Sequence, residues 1–324
     1  MIRTICLASL LMCTSVFSAA PEYRVESTAV LGGEGSWDYL SIDSAAHRLY
    51  IGRSDRVMAV DTATGKLAGE ITGLAGVHGL AVAGDTGRGY VSCGKGNTVR
   101  VIDLTTLKES ASLAAGKKPD AIIYDPASKM VLAFNNGGTT ATVVDPVKNA
   151  VAGEIELGGA PEFAVADGKG KVFVNLEDKS EVLELDIPGR KVVNRWPLAP
   201  GTAPTGLAMD VEHGRLFSAC HDSKTMVVLD AGSGKILASL PIGDGTDAAA
   251  FDPDSQNAFS SNGDGTLTVV HEDSPDKFTV TQTLKTMPSA RTMTLDPKTH
   301  KIWLVAGTGR NGPKQEFTLI CVSK

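Results

Sequence analysis

Asp38, Asp120, Glu162 and Asp247 occupy the same place in a repeating pattern, five positions before an Asp that closes a short apolar run. Arg291 and Thr205 take that place in two further copies, and His78 or Gly79 takes it in another. Carboxylates gathered round one opening suit a divalent cation, Ca²⁺ or Mg²⁺, with Asp120, Glu162 and Asp247 as its ligands. The same groups could act as a general base, with Arg291 steadying an anion. Arg53, Asn135, His221 and Asn262, from neighbouring loops, complete the ligand-binding candidates. Two carboxylates about 7 Å apart repel by roughly 2 kcal/mol at an effective dielectric of 20. A dry opening therefore needs a cation, a raised pKa or the Arg291 guanidinium.

The elements that must position these residues are written several times over. Val57-Met58-Ala59-Val60-Asp61 recurs as Val99-Arg100-Val101-Ile102-Asp103 and as Thr142-Val143-Val144-Asp145. It returns as Val182-Leu183-Glu184-Leu185-Asp186 and Val227-Val228-Leu229-Asp230, with spacings of 42, 42, 41 and 44 between the closing Asp residues. Leu267-Thr268-Val269-Val270 ends instead in His271, and Phe317 to Val322 is the last copy. A second anchor runs in step: Leu40-Ser41-Ile42-Asp43, Ile122-Ile123-Tyr124-Asp125-Pro126, Leu207-Ala208-Met209-Asp210, Phe251-Asp252-Pro253 and Leu295-Asp296-Pro297. Asp and Asp-Pro start turns because the carboxylate accepts nearby backbone N–H groups. Gly65 and Gly234, after the first anchor, supply positive φ for a hairpin.

Each repeat thus holds four short β-branched runs, a to d, and no helical period. About 43 residues per repeat is the length of a four-stranded propeller blade. The expected fold is all-β: a seven-bladed β-propeller of four-stranded antiparallel blades over residues 21–324. Val25 to Leu31 lacks a preceding a, b or c strand, while the last repeat ends after strand c. The N-terminal strand is therefore expected to complete the seventh blade and close the ring, hiding the sheet edges. In such a blade the loop entering strand a and the b–c loop share a face, which places the candidates at one mouth of the central channel.

Composition sets the class. The 324 residues carry 31 Lys+Arg against 37 Asp+Glu, a net charge of −6, with 42% hydrophobic and 21% charged residues. That is the balance of a folded chain and not of a general nucleic-acid or anionic-membrane binder. Glycine, at 35 residues, is enriched while aromatics make up 5%, as many tight turns between short strands require. Residues 1–20 read as a cleaved signal peptide: Arg3, an apolar stretch to Phe17, then Ser18-Ala19-Ala20. This points to the periplasm or the exterior, with no membrane span after cleavage. Cys93, Cys220 and Cys321 are odd in number and far apart, so no disulfide pairing follows. No nucleophile elbow, Walker loop, Rossmann fingerprint or paired-His zinc motif occurs.

On the period, the Val-x-Val-Asp end of strand c and the Gly-Lys turn, the chain resembles the YVTN-repeat family of β-propellers, and among them the secreted YncE-like proteins. The namesake tetrapeptide survives loosely as Tyr50-Ile51-Gly52-Arg53, Tyr90-Val91-Ser92-Cys93 and Phe173-Val174-Asn175-Leu176. WD repeats share the length, but here the one Trp-Asp pair, Trp37-Asp38, precedes strand a. The resemblance implies a propeller and leaves its activity open. The expected function is a secreted or periplasmic binding or scaffold protein, a monomer with no cofactor, holding a small molecule or an envelope protein at the channel mouth. The alternative is a metal-assisted hydrolase or lactonase, or a lyase, using the acidic ring. No nucleic-acid partner is expected.

Overall fold

Alternation of side chains along a strand explains why strands b and c are buried on both faces. In the computed structural model, which describes residues 22–307 and 316–324, Leu49 and Ile51 face one neighbouring blade while Tyr50 faces the other. Val131 and Ala133 divide from Leu132 and Phe134 in the same way. Seven apolar clusters result, each sitting at the seam between adjacent blades. A lone four-stranded meander would leave both of these faces in water, so the blades are stable only as a stack.

The described residues form seven four-stranded antiparallel sheets. Six are meanders in chain order; the seventh joins strands Thr292–Leu295, Ile302–Ala306 and Thr318–Ser323 to the N-terminal strand Arg24–Val30. The closing register runs from Arg24 opposite Ser323 to Val30 opposite Thr318. The fold is thus the seven-bladed propeller expected, closed by its N-terminal strand. The signal-peptide reading of residues 1–20 lies outside the described residues.

The turns follow the Asp chemistry. Asp43, Asp125, Asp210 and Asp296 each accept N–H groups two or three residues on, as do Asp61, Asp103 and Asp230 after strand c. The expectation that glycine supplies positive φ holds at Gly65 and Gly234 but not throughout. Leu107, Asn149 and Arg190 take the left-handed conformation at φ 56°, 52° and 49°, a strain of roughly 1–2 kcal/mol for an ordinary side chain.

Two clasps secure the closing segment. Tyr23 binds the sixth blade before its chain reaches the seventh: its N–H donates to Gln282 Oε1 at 2.9 Å and its C=O accepts from Gln282 Nε2 at 2.7 Å. Its ring meets Phe259 edge-on at 5.1 Å. On the other side, Arg53 is 1% exposed and donates to the carbonyls of Gly33, Glu34, Gly35 and Ser36. Its guanidinium lies 3.7 Å over the Phe317 ring. Deleting Tyr23 to Leu31 should lower the melting temperature by more than 10 °C, and Tyr23→Ala alone should cost about 3 kcal/mol. A deletion variant that melts like the intact chain would refute closure by this strand.

Candidate functional site

Six of the seven inner strands break register just after their first residue, while Thr292–Leu295 of the seventh pairs without a shift. The shifts fall at Trp37/Leu40, Val77/Leu80, Pro119/Ile122, Pro161/Ala164, Pro204/Gly206 and Thr246/Ala248. A bulge re-aims the side chain that sits on it. The second residue of each inner strand is the mouth residue: Asp38, His78, Asp120, Glu162, Thr205 and Asp247, with Arg291 just before Thr292. Blade two therefore contributes His78 and not Gly79. Two glycines make room for it. A Cβ on Gly52 would lie 2.0 Å from the His78 carbonyl oxygen, and one on Gly94 would lie 2.8 Å from His78 Nε2.

The mouth residues pair with one another. His78 Nδ1 lies 2.6 Å from Asp38 Oδ2 and 3.0 Å from Asp120 Oδ1. Arg291 Nε donates to Asp247 Oδ2 at 2.6 Å, and another of its nitrogens donates to the Trp37 carbonyl. Glu162 accepts from Tyr39 OH and from Asn136 Nδ2, both at 3.0 Å. Lys118 Nζ reaches Asn136 Oδ1 at 3.1 Å and Asp120 Oδ2 at 3.6 Å. Thr205 turns aside and donates to the Thr246 carbonyl.

The charges do not balance by fixed cations alone. Burial would lower the His78 pKa, but hydrogen bonds to Asp120 and Asp38 outweigh it and raise it to about 10. Burial raises Asp38 to about 6, against the pull of His78. Glu162 is pushed furthest, to about 9, by burial and then by the field of Asp120. Asp247 is raised by burial, with Arg291 opposing. At neutral pH the ring thus holds two cations, His78 and Arg291, with the Lys118 ammonium at its edge beside Asp120, and Glu162 keeps its proton.

A plug closes the channel beneath this ring. Tyr39, from the first blade, crosses to Glu162 of the fourth and packs on Phe163 with centroids 5.5 Å apart. The residue after the mouth position is small elsewhere: Gly79, Ala121, Gly206, Ala248 and Thr292. Large rings at that register occur only in blades one and four, nearly opposite in a ring of seven. Past the plug lies a cavity of about 300 Å³, lined by Tyr39, Ile42, Val82, Ile123, Phe163 and Thr294 among others.

The structure brings Asp38, His78, Asp120, Glu162, Asp247 and Arg291 to one mouth. It does not gather Asp120, Glu162 and Asp247 as a ligand set; the trio with ligand atoms within 4.8 Å is Asp38, His78 and Asp120. Arg53 is the loop clasp described above and not a mouth residue. Asn135 and Asn262 are fully buried: each donates through Nδ2 to two threonines of strand c, Thr140 and Thr142 or Thr266 and Thr268. They fix the b–c hairpin and present nothing to a ligand. His221 is exposed and pairs with its neighbour Asp222 at 3.0 Å. Tyr39 was not among the sequence candidates; its size at a register of small residues was the available signal. The thiols are buried, and burial raises Cys93 and Cys220 to about 11 and Cys321 to about 12.

No family model matches the chain, and no curated protein matches it. Solved structures do. The chain is similar to the RRP9 WD40 repeats at a TM-score of 0.78 with 9% identity, covering 93% of this chain and 100% of that one. A structure of U3-55K gives 0.77 and 9%, covering 91% and 98%. A chain of a mitotic checkpoint complex gives 0.77 and 12%, covering 99% of both. At such identities the likeness shows the propeller fold and nothing of activity. Among the described residues no helix is long and apolar enough to cross a membrane.

The electrostatics carry a pH signature. Glu162 and His78 keep protons in the folded chain that the unfolded chain releases near pH 4.5 and 6.5. Their stabilising contribution is whole below those values and is lost as pH rises through about 9 and about 10. The unfolding free energy from urea titrations should therefore fall between pH 6.5 and 10, with Glu162 contributing about 1.4 kcal/mol per pH unit until its own proton leaves. Glu162→Gln should remove about half of the slope between pH 6.5 and 9 and leave the part that His78 carries. A wild-type profile that is level from pH 6 to 9 would contradict the protonated Glu162.

Proposed function

We propose that the chain is a secreted or periplasmic binding propeller, of the YVTN-repeat kind, whose channel mouth takes the cationic group of a small molecule or of an envelope partner. Secretion is inferred from residues 1–20 of the sequence; the fold supplies a rigid scaffold. The carrying observation is Glu162, held by Tyr39 OH and Asn136 Nδ2 with no ion-pair partner among the described residues, in a ring otherwise made of ion pairs. An ammonium or guanidinium group arriving there would displace the Glu162 proton and gain a carboxylate beside the Tyr39 and Phe163 rings, which suit cations. The mouth offers no activated nucleophile, and its hydrogen bonds are already made within the ring. Such a site favours recognition over bond making.

The second reading, a metal-assisted hydrolase or lyase, rests on the Asp38–His78–Asp120 trio. Imidazole must be neutral to bind a metal. With His78 raised to about 10, removing its proton at pH 7 costs on the order of 4 kcal/mol. Ca²⁺ and Mg²⁺, which prefer oxygen, gain little from a ring nitrogen. The trio serves better as an ion pair that shapes the mouth.

Calorimetry with tetramethylammonium, guanidinium and a Lys/Arg peptide, in two buffers of different ionisation enthalpy, tests the binding reading. Uptake of a cation should release close to one proton at pH 7–8, and Glu162→Gln should weaken it at least tenfold. Equal binding of neutral or anionic probes, or indifference to Glu162→Gln, would overturn it. A stoichiometric metal removed by EDTA and lost in Asp38→Asn would favour the hydrolase reading instead.

A further inference from the structure

The opposite end of the inner strands carries a second convergence of ligating groups. Asp210 closes the inner strand of the fifth blade, five residues and about 17 Å from the mouth. His213 follows in its turn, with Nδ1 2.6 Å from Asp210 Oδ2. From the sixth blade comes Glu272, with Oε1 3.6 Å from the same Nδ1. Ligand atoms of all three lie within 4.8 Å of one another.

Glu272 is the anomaly. Its backbone N–H donates to the carbonyl of the a–b turn, at Gln256. Thr62, Leu104, Ile187 and Ala231 make the same bond in other blades, and Pro146 stands at that register in the third. Where those blades place mostly apolar side chains, the sixth buries a carboxylate that is 4% exposed. Neither of its oxygens has a hydrogen-bond partner. The nearby Arg215 is engaged elsewhere, by Asp230 at 2.6 Å and by the Pro275 carbonyl. His213 is equally particular: three residues after the anchor other blades carry Ala46, Ser128, Ser255 or Thr299.

A buried carboxylate without a donor is costly unless a cation reaches it or it takes up a proton; burial raises Glu272 to about 7, so at neutral pH a cation competes with that proton for the site. One imidazole nitrogen with two carboxylates suits a divalent first-row transition ion better than Ca²⁺ or Mg²⁺. The Asp210 hydrogen bond raises the His213 pKa, so the ion must displace a proton here as at the mouth, but only this trio contains a buried carboxylate with no donor of its own. Zinc bond lengths of about 2.0–2.2 Å set tetrahedral ligands roughly 3.3 Å apart. The two separations from the imidazole nitrogen, 2.6 and 3.6 Å, bracket that value, and all three ligand atoms lie within 4.8 Å of one another. The His213 side chain is 32% exposed, which leaves an entrance and room for a water ligand.

We infer that Asp210, His213 and Glu272 hold one divalent transition ion, Zn²⁺ or a close relative, pinning the fifth blade to the sixth on the face away from the mouth. The test is native mass spectrometry and thermal melting of the EDTA-treated protein with added Zn²⁺. One ion per chain should bind at micromolar concentration, and a saturating excess should raise the melting temperature by roughly 4 °C or more. His213→Ala, at a partly exposed position, and Glu272→Leu, which restores the side chain of Leu104 at that register, should each fold and weaken Zn²⁺ uptake at least tenfold. His78→Gln should leave it unchanged. No stoichiometric uptake, uptake retained in His213→Ala, or uptake lost only in His78→Gln would each overturn the assignment.

Discussion

Ring closure is the constraint on which the rest depends. The seven seams exist only if the last blade meets the first, and that blade borrows its outer strand from the N-terminus. The pairing of Arg24–Val30 with Thr318–Ser323 therefore does more than add ladder bonds. It brings the seventh blade against the first, where Trp37, Leu40 and Ile51 share a core with Trp303, Val305 and Leu319. It also sets Arg291 between Asp247 of one neighbour and the Trp37 carbonyl of the other. Tyr23 and Arg53 lie one on either side of the closing strand, so the chain spends a buried arginine and a buried tyrosine on holding it.

The mouth follows from closure and from charge. Converging seven inner strands brings acidic residues together that would be unremarkable on an open surface. Burial then makes Asp38, Glu162 and Asp247 expensive to ionise, and the ring settles by pairing: Asp38 and Asp120 on His78, Asp247 on Arg291. Glu162 stands beside no comparable cation and keeps its proton. This is the remedy foreseen for a dry opening, a raised pKa together with the guanidinium, achieved with the two on different residues.

Period and turn chemistry made the fold legible, because each is local and repeats. The Asp anchors located both ends of six of the seven inner strands, and the count of five back from them found six of the seven mouth residues. The second blade left a choice because Gly84 stands where the register sought an Asp; the short helical turn Gly84–Thr86 replaces the Asp turn there. What was not legible is whatever depends on direction or on a partner from another blade. Asn135, Asn262 and Arg53 sit in b–c hairpins at the correct face, but their side chains turn inward to threonine hydroxyls and to loop carbonyls. Tyr39 gains its partner across the channel, a relation no single repeat encodes. Glu272 follows the His271 that takes the place of the strand-c Asp, and only the neighbouring blade shows what it faces.

The two convergences arise for one geometric reason. Along a blade, side chains from strands b and c meet only the flat face of the adjacent sheet, and apolar packing suffices. At the two ends of the inner strands, residues from several blades point toward common ground. The turn Asp is already placed at one of those ends in most blades, with part of its capacity used by backbone N–H groups and the rest free. Ser255 and Thr299 use it for a hydroxyl bond, to Asp252 and Asp296 respectively. In the fifth blade His213 uses it for an imidazole while the backbone bonds from Glu212 and His213 to Asp210 remain. A ligating group is thus introduced by side-chain exchange alone, with the turn, the register and the seam intact. A repeat fold of this kind acquires sites at its strand ends without disturbing the packing that keeps the ring shut.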